Sequence, residues 1–176
     1  MPSLRKRAPK RGSAAARPGV GPRPGQGTKQ DAASAELAAV GLLAGRDYAC
    51  GELGAKLRER GFEAAVVTAL MEDLRHRGLL NDERYSLHFV QYRMARGQGP
   101  TRIRRDLSEF GVGSEHIDAA LRAVPDWGAM AREVRRRRFG VAVPADWIEK
   151  GRQARFLQYR GFANEHIRKA LGADLD

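Results

Sequence analysis

An all-α fold is expected for this chain: three tandem three-helix modules in an elongated, curved row, preceded by a disordered basic tail. Three observations lead there. Apolar residues recur at helical spacing, as in Ile103, Leu107 and Phe110 at i, i+4 and i+7. A corner repeats three times, at Leu57-Arg58-Glu59-Arg60-Gly61-Phe62, Leu107-Ser108-Glu109-Phe110-Gly111-Val112 and Leu157-Gln158-Tyr159-Arg160-Gly161-Phe162, and its glycines lie 50 residues apart. The first 33 residues are Pro, Gly, Ala, Lys and Arg with almost nothing apolar to bury. The expected division is a tail over 1–33 and modules over 34–77, 78–124 and 125–176.

The tail carries Arg5, Lys6, Arg7, Lys10, Arg11, Arg17, Arg23 and Lys29 against Asp31, a net of +7 within a total of +11 for the 176-residue chain. It reads as a loose tether for nucleic acid or another anionic surface, or as a solvated extension. Its prolines and glycines oppose the amphipathic helix of a transit peptide. Folding is expected to begin near Ser34 as an N-cap, with Leu37, Val40 and Ala44 inward. Gly41 and Gly45 weaken that helix by about 1 kcal/mol for each interior glycine. A second helix starts near Cys50 with Leu53 and Leu57 inward and stops at Gly61. A third carries Val66, Leu70 and Leu74. Aligned by its glycine, the first module is expected to be one residue shorter than the others at this point.

The second module is the best punctuated. Asn81 can cap a helix whose first turn holds Asp82 and Glu83, where the dipole favours negative charge. Tyr85, Phe89 and Tyr92 form one apolar stripe and Leu87, Val90 and Met94 the opposite one, so the helix is expected to pack on both sides. Gly97 and Gly99 break it, Pro100 restarts a helix at its first position, and Ser114 caps a third with Ile117 and Leu121 inward. In the third module Asp126 caps a helix with Trp127, Met130 and Val134 inward. Pro144 opens the next, containing Trp147, Ile148, Ala154 and Leu157, and a final helix bears Ile167 and Leu171.

Few chemistries survive inspection. No run of about 18 apolar residues is present for a membrane span. The single cysteine, Cys50, excludes an internal disulfide framework and fits a reducing, cytoplasmic setting. His76, His88, His116 and His166 make no metal motif, and His116 and His166 are explained by repeat duplication. No nucleophile elbow or phosphate-cradling loop appears. Neither catalytic residues nor a cofactor is expected. The arginines are the better candidates: Arg93 and Arg96 before the glycine joint, Arg102, Arg104 and Arg105 after it, and Arg135, Arg136, Arg137 and Arg138 in the third module. They suit phosphates or an acidic protein groove, against the plainer reading of solvated helix faces. A helix-turn-helix reader of DNA is disfavoured, because the helices after the three glycines share no pattern of base-reading side chains.

Gly78-Leu79-Leu80-Asn81-Asp82-Glu83-Arg84-Tyr85, followed by Phe89-Val90, Arg93, Arg96-Gly97-Gln98-Gly99-Pro100, Ile103 and Leu107, closely resembles the RecX family of bacterial regulatory proteins. Leu42-Leu43, Arg46-Asp47-Tyr48 and Arg60-Gly61-Phe62 extend the likeness through the first module. Arg137-Arg138-Phe139-Gly140 and Phe156-Leu157, then Arg160-Gly161-Phe162, carry it through the third. The resemblance implies a monomeric, non-enzymatic modulator of the RecA recombinase that lodges in the groove of the RecA–DNA filament. There it would inhibit ATP hydrolysis and strand exchange, with single- or double-stranded DNA as a further partner. Gly41, Gly45, Gly51 and Gly54 stand where the family often has basic residues, which shifts the expected contact to modules two and three. The alternative is a general DNA-binding helical protein that works through its tail and arginine clusters.

Overall fold

The computed structural model describes residues 26–172, with side chains from Asp31 onward. The expected disorder of the tail falls, for residues 1–25, outside the described residues, as do residues 173–176. Among the described residues there are nine helices and no strand. They are α1 (Gln26–Leu43), α2 (Cys50–Glu59), α3 (Ala64–His76), α4 (Asp82–Ala95), α5 (Pro100–Glu109), α6 (Ser114–Arg122), α7 (Trp127–Phe139), α8 (Trp147–Tyr159) and α9 (Asn164–Ala170).

Each successive triplet encloses its own apolar core. The first holds Ala35, Ala39, Leu53, Leu57, Val67 and Leu74. The second holds Tyr85, Val90, Ile103, Leu107 and Ile117, and the third Ala131, Val134, Leu157, Phe162 and Ile167. In each, the first and third helices make the most extensive contact and the second touches both. The cores are not sealed from one another. Ala49, just before α2, is buried in the second core, and Trp127 packs against both the second and the third.

The repeated corner is the device that folds each module. Leu57, Leu107 and Leu157 are fully buried, and two residues later each helix ends. Gly61, Gly111 and Gly161 take φ of 92°, 75° and 88°, the left-handed region that side chains resist. Their N–H groups donate to the carbonyls of Arg58, Ser108 and Gln158. The N–H of the following residue, Phe62, Val112 or Phe162, reaches back to the carbonyl of the buried leucine. This double closure satisfies carbonyls that the helix end would otherwise orphan, and it turns the next hydrophobe inward.

The structure corrects several expectations. α1 already includes Gln26, eight residues before Ser34, which lies inside the helix. Ala35 and Ala39 are its buried side, while Leu37 and Val40 are exposed; small residues let α1 lie close against α3. In α3 the fully buried valine is Val67 rather than Val66, with Met71 one turn on. Val67, Ile117 and Ile167 keep the 50-residue spacing, so the first module is not shortened there. The third helix of the second module is preceded by Gly113, without a side-chain cap, and Ser114 is its first residue. α8 begins at Trp147 under an Asp146 cap, not at Pro144, and Trp147 and Ile148 point to solvent. Tyr92, placed on an inward stripe by its spacing, is 52% exposed.

Candidate nucleic-acid and partner interface

The nine arginines singled out in the sequence divide by what already holds them. Arg93 lies 3.0 Å from the Asp106 carboxylate and over the Phe89 ring, its side chain 23% exposed. Arg104 pairs with Asp118 of α6, and Arg105 sits between Asp106 at 3.3 Å and Glu109 at 3.6 Å. Arg102 is packed into the joint between modules, its Nη1 3.5 Å from the Tyr159 carbonyl. Arg136 and Arg137 share one carboxylate, Glu133, each at 2.8 Å. Their hydrogen bonds, Arg136 first, hold the Glu133 carboxyl down at about 2 from its usual 4.5.

Arg135 is not a surface residue. It is 4% exposed, donating from Nη1 to the Ala142 carbonyl at 2.9 Å and to Gln153 Oε1 at 3.2 Å. Nη2 donates to the Val141 carbonyl at 3.0 Å. The side chain therefore braces the loop between α7 and α8 from inside and is withdrawn as a contact candidate. Its role had a sequence signal. Leu53, Ile103 and Gln153 occupy one repeat position and are all buried, and a lone polar residue in such a row requires a buried partner.

Among the described residues Arg96 and Arg138 have no carboxylate partner, and they rest over the rings of Tyr92 and Phe139. These two come together with Arg137 and with Arg160, which was not among the candidates. All four line a cleft of about 270 Å³ where the second and third modules meet, together with Ala95, Gly97, Val134 and Phe156. Arg160 lies over the Phe156 ring and donates from Nη1 to the Arg96 carbonyl at 3.1 Å. Among the described residues no acidic side chain lines this cleft. Arg160 stands immediately before the repeated glycine, so its place at the joint follows once the corner is known to dock on the neighbouring module.

That docking is done by backbone. The N–H of Gly99 donates to the Arg160 carbonyl at 2.7 Å and that of Thr101 to the Gly161 carbonyl at 3.0 Å. Two groups that the start of α5 leaves unpaired are thus satisfied by the corner of the next module. A Cβ on Gly99 would strike the Gly161 carbonyl, and one on Gly161 would strike Arg102.

Other chemistry finds no centre. Among the described residues no group of three or more His, Cys, Asp and Glu side chains could hold a metal ion. No helix among them is long and apolar enough to cross a membrane. Cys50 is buried, which pushes its thiol pKa up, and it accepts a hydrogen bond from Arg75 Nε at 3.2 Å.

Comparison with known proteins accounts for this architecture. The family profile for the second three-helix domain of RecX matches residues 81–121, and that for the third matches residues 129–171. Regulatory protein RecX of Halorhodospira halophila is 47% identical over 137 residues, which span 77% of this chain and 85% of the relative. This chain belongs to the RecX family. The regulatory protein RecX of Pseudomonas fluorescens strain SBW25 is 42% identical over 78% of this chain and 90% of its own length. The crystal structure of RecX from Lactobacillus salivarius superposes with a TM-score of 0.71 at 19% identity, covering 82% of this chain and 97% of that one. A second RecX crystal structure gives 0.69 at 21% identity, over 84% and 74%. At such identities the structures speak to the RecX fold alone. The sequence relatives carry the family assignment, and their name describes regulatory proteins.

Proposed function

We propose that this protein modulates, mainly by inhibition, the RecA recombinase, lying along the RecA–DNA filament and contacting it through the arginines at the junction of the second and third modules. The observation that carries the reading is the cleft of Arg96, Arg137, Arg138 and Arg160, without a lining carboxylate among the described residues, on a chain of the RecX family. Guanidinium groups held over rings and at a backbone joint are pre-positioned, so little rotamer freedom is lost when they meet carboxylates or phosphates. A body of linked modules that bridges neighbouring protomers would oppose the rearrangements coupled to ATP turnover. The mechanism is mechanical and needs no reacting group.

The test is DNA-dependent ATP hydrolysis by RecA from the same cell, titrated with full-length protein and with protein starting at Gln26. The deletion stops there because Ala35 and Ala39 of α1 belong to the first core. Hydrolysis is expected to fall for both proteins, and no suppression at equimolar protein overturns the reading. The second reading, general DNA binding through the tail, rests on the +7 of residues 1–33. It requires steep salt dependence and most of the affinity lost on deletion.

A further inference from the structure

Beside the arginine cleft lies a second, about 550 Å³ in volume, on the side facing the first module. Arg46, His88, Phe89, Tyr92, Arg93 and Arg96 are among its lining residues. Arg96 lines both clefts and joins them. At the shared edge stands Tyr92, one of the large hydrophobic side chains that the fold leaves exposed, with the Arg96 guanidinium 4.3 Å from its ring centre. Tyr92 and Arg96 are one turn apart on α4, a rise of about 6 Å, the scale of one nucleotide step. The two clefts differ in charge. On the Tyr92 side Arg46 is paired with Glu52 and Arg93 with Asp106. On the far side Arg96, Arg138 and Arg160 have no carboxylate partner among the described residues.

An aromatic ring at the mouth of a groove whose unpaired cations lie to one side is a pattern suited to single-stranded nucleic acid. The ring takes the face of a base, and the guanidinium groups take the phosphates that follow it. An acidic peptide would use the cations but has no call for the exposed ring. Duplex DNA would use them too, but its bases are stacked inside and cannot reach Tyr92. We infer that Tyr92 is a base-stacking platform and that a single nucleic-acid strand runs from it across Arg96 into the cleft of Arg137, Arg138 and Arg160. The strand then touches both sides of the joint between the second and third modules, so binding it also steadies their relative angle. This rests on the reading above, in that it assigns the same arginines to nucleic-acid phosphates. It fails separately, because it is measured without RecA.

The experiment uses full-length protein and a fluorescein-labelled twenty-nucleotide oligothymidylate, followed by anisotropy over a range of salt. Tyr92→Ala is expected to weaken binding about tenfold, within the range set by losing one stacked base. The slope of log affinity against log salt should stay unchanged, because stacking releases no counterions. Tyr92→Phe should bind within twofold of the unsubstituted protein, since the ring and not the hydroxyl does the stacking. Arg96→Ala should flatten the salt slope by about 0.7, the value for one phosphate contact on a single strand. Binding to a duplex of the same length should not respond to Tyr92→Ala. Irradiating a 5-iodouracil oligonucleotide bound to the protein should place a cross-link on Tyr92. Tyr92→Ala protein that keeps its thermal stability and binds the oligothymidylate within twofold of the unsubstituted protein overturns the inference. So does a Tyr92→Phe loss as large as that of Tyr92→Ala.

Discussion

The two joints of the chain use the same parts and satisfy them differently. In both, the glycine corner of one module abuts the start of the second helix of the module before it. Between the first and second modules a Cβ on Gly51 would come within 2.6 Å of the Phe110 carbonyl, and Gly111 lies beside it. There the unpaired N–H of Cys50, at the start of α2, is met by a side chain, Asp82 Oδ1 at 2.8 Å. Between the second and third modules the start of α5 is met by backbone carbonyls of Arg160 and Gly161. The difference extends to the surrounding charge. Arg46 and Arg93, near the first joint, are tied to Glu52 and Asp106, whereas the cleft at the second joint has no lining carboxylate among the described residues. A joint closed by main chain needs no acidic side chain, and Arg96, Arg138 and Arg160 beside it have no carboxylate partner among the described residues.

The largest effects should come from the docked corners. Gly161→Ala combines a φ of 88° with a clash against Arg102, and it is expected to cost about 3–5 kcal/mol in denaturant unfolding. Gly61→Ala has a similar φ of 92° but open space around it, so about 1–2 kcal/mol is expected. Equal costs at the two positions would show that the second joint is not closed as described.

Arg135→Ala comes next, at about 2–4 kcal/mol, because it leaves Gln153 and two loop carbonyls without their donor. Arg138→Ala, on the same helix but exposed, should stay within about 0.5 kcal/mol and instead weaken suppression of RecA ATP hydrolysis. Asp82→Ala removes the side-chain cap peculiar to the first joint and should cost about 1 kcal/mol, read as a lower unfolding midpoint.

The smallest effect concerns Glu133. Its carboxyl is held below the usual range, so the stabilisation from Arg136 and Arg137 is complete above about 4.5 and fades as pH falls toward about 2. A carboxyl titration by NMR should show this low midpoint. Glu133→Gln should free both arginines and strengthen oligonucleotide binding about twofold, by an amount that shrinks at high salt.

Much of this architecture was legible in the residues because it is local. A helix end that needs a left-handed residue announces itself with Gly61, Gly111 and Gly161, and a buried helix side with Leu57, Leu107 and Leu157. Where reading failed, a neighbour had the deciding vote. Leu37 and Val40 look like the inward side of α1, but the helix turns its alanines to α3 because close packing favours small side chains. Tyr92 fits its stripe by angle, yet no helix among the described residues covers it.

The candidate site divides in the same way. That arginines cluster near the glycine–proline joint and in α7 is written in the sequence, as is the RecX resemblance. Which of them are available depended on groups brought in by folding. Asp106 and Asp118 occupy Arg93 and Arg104, Glu133 holds Arg136 and Arg137, and the loop after α7 encloses Arg135. Arg160 enters the site through a hydrogen bond to a carbonyl 64 residues away. Helices and turns depend on residues a few positions apart, so the chain specifies them by itself. The free charge on its surface is what remains after distant residues have paired, and only the tertiary structure performs that subtraction.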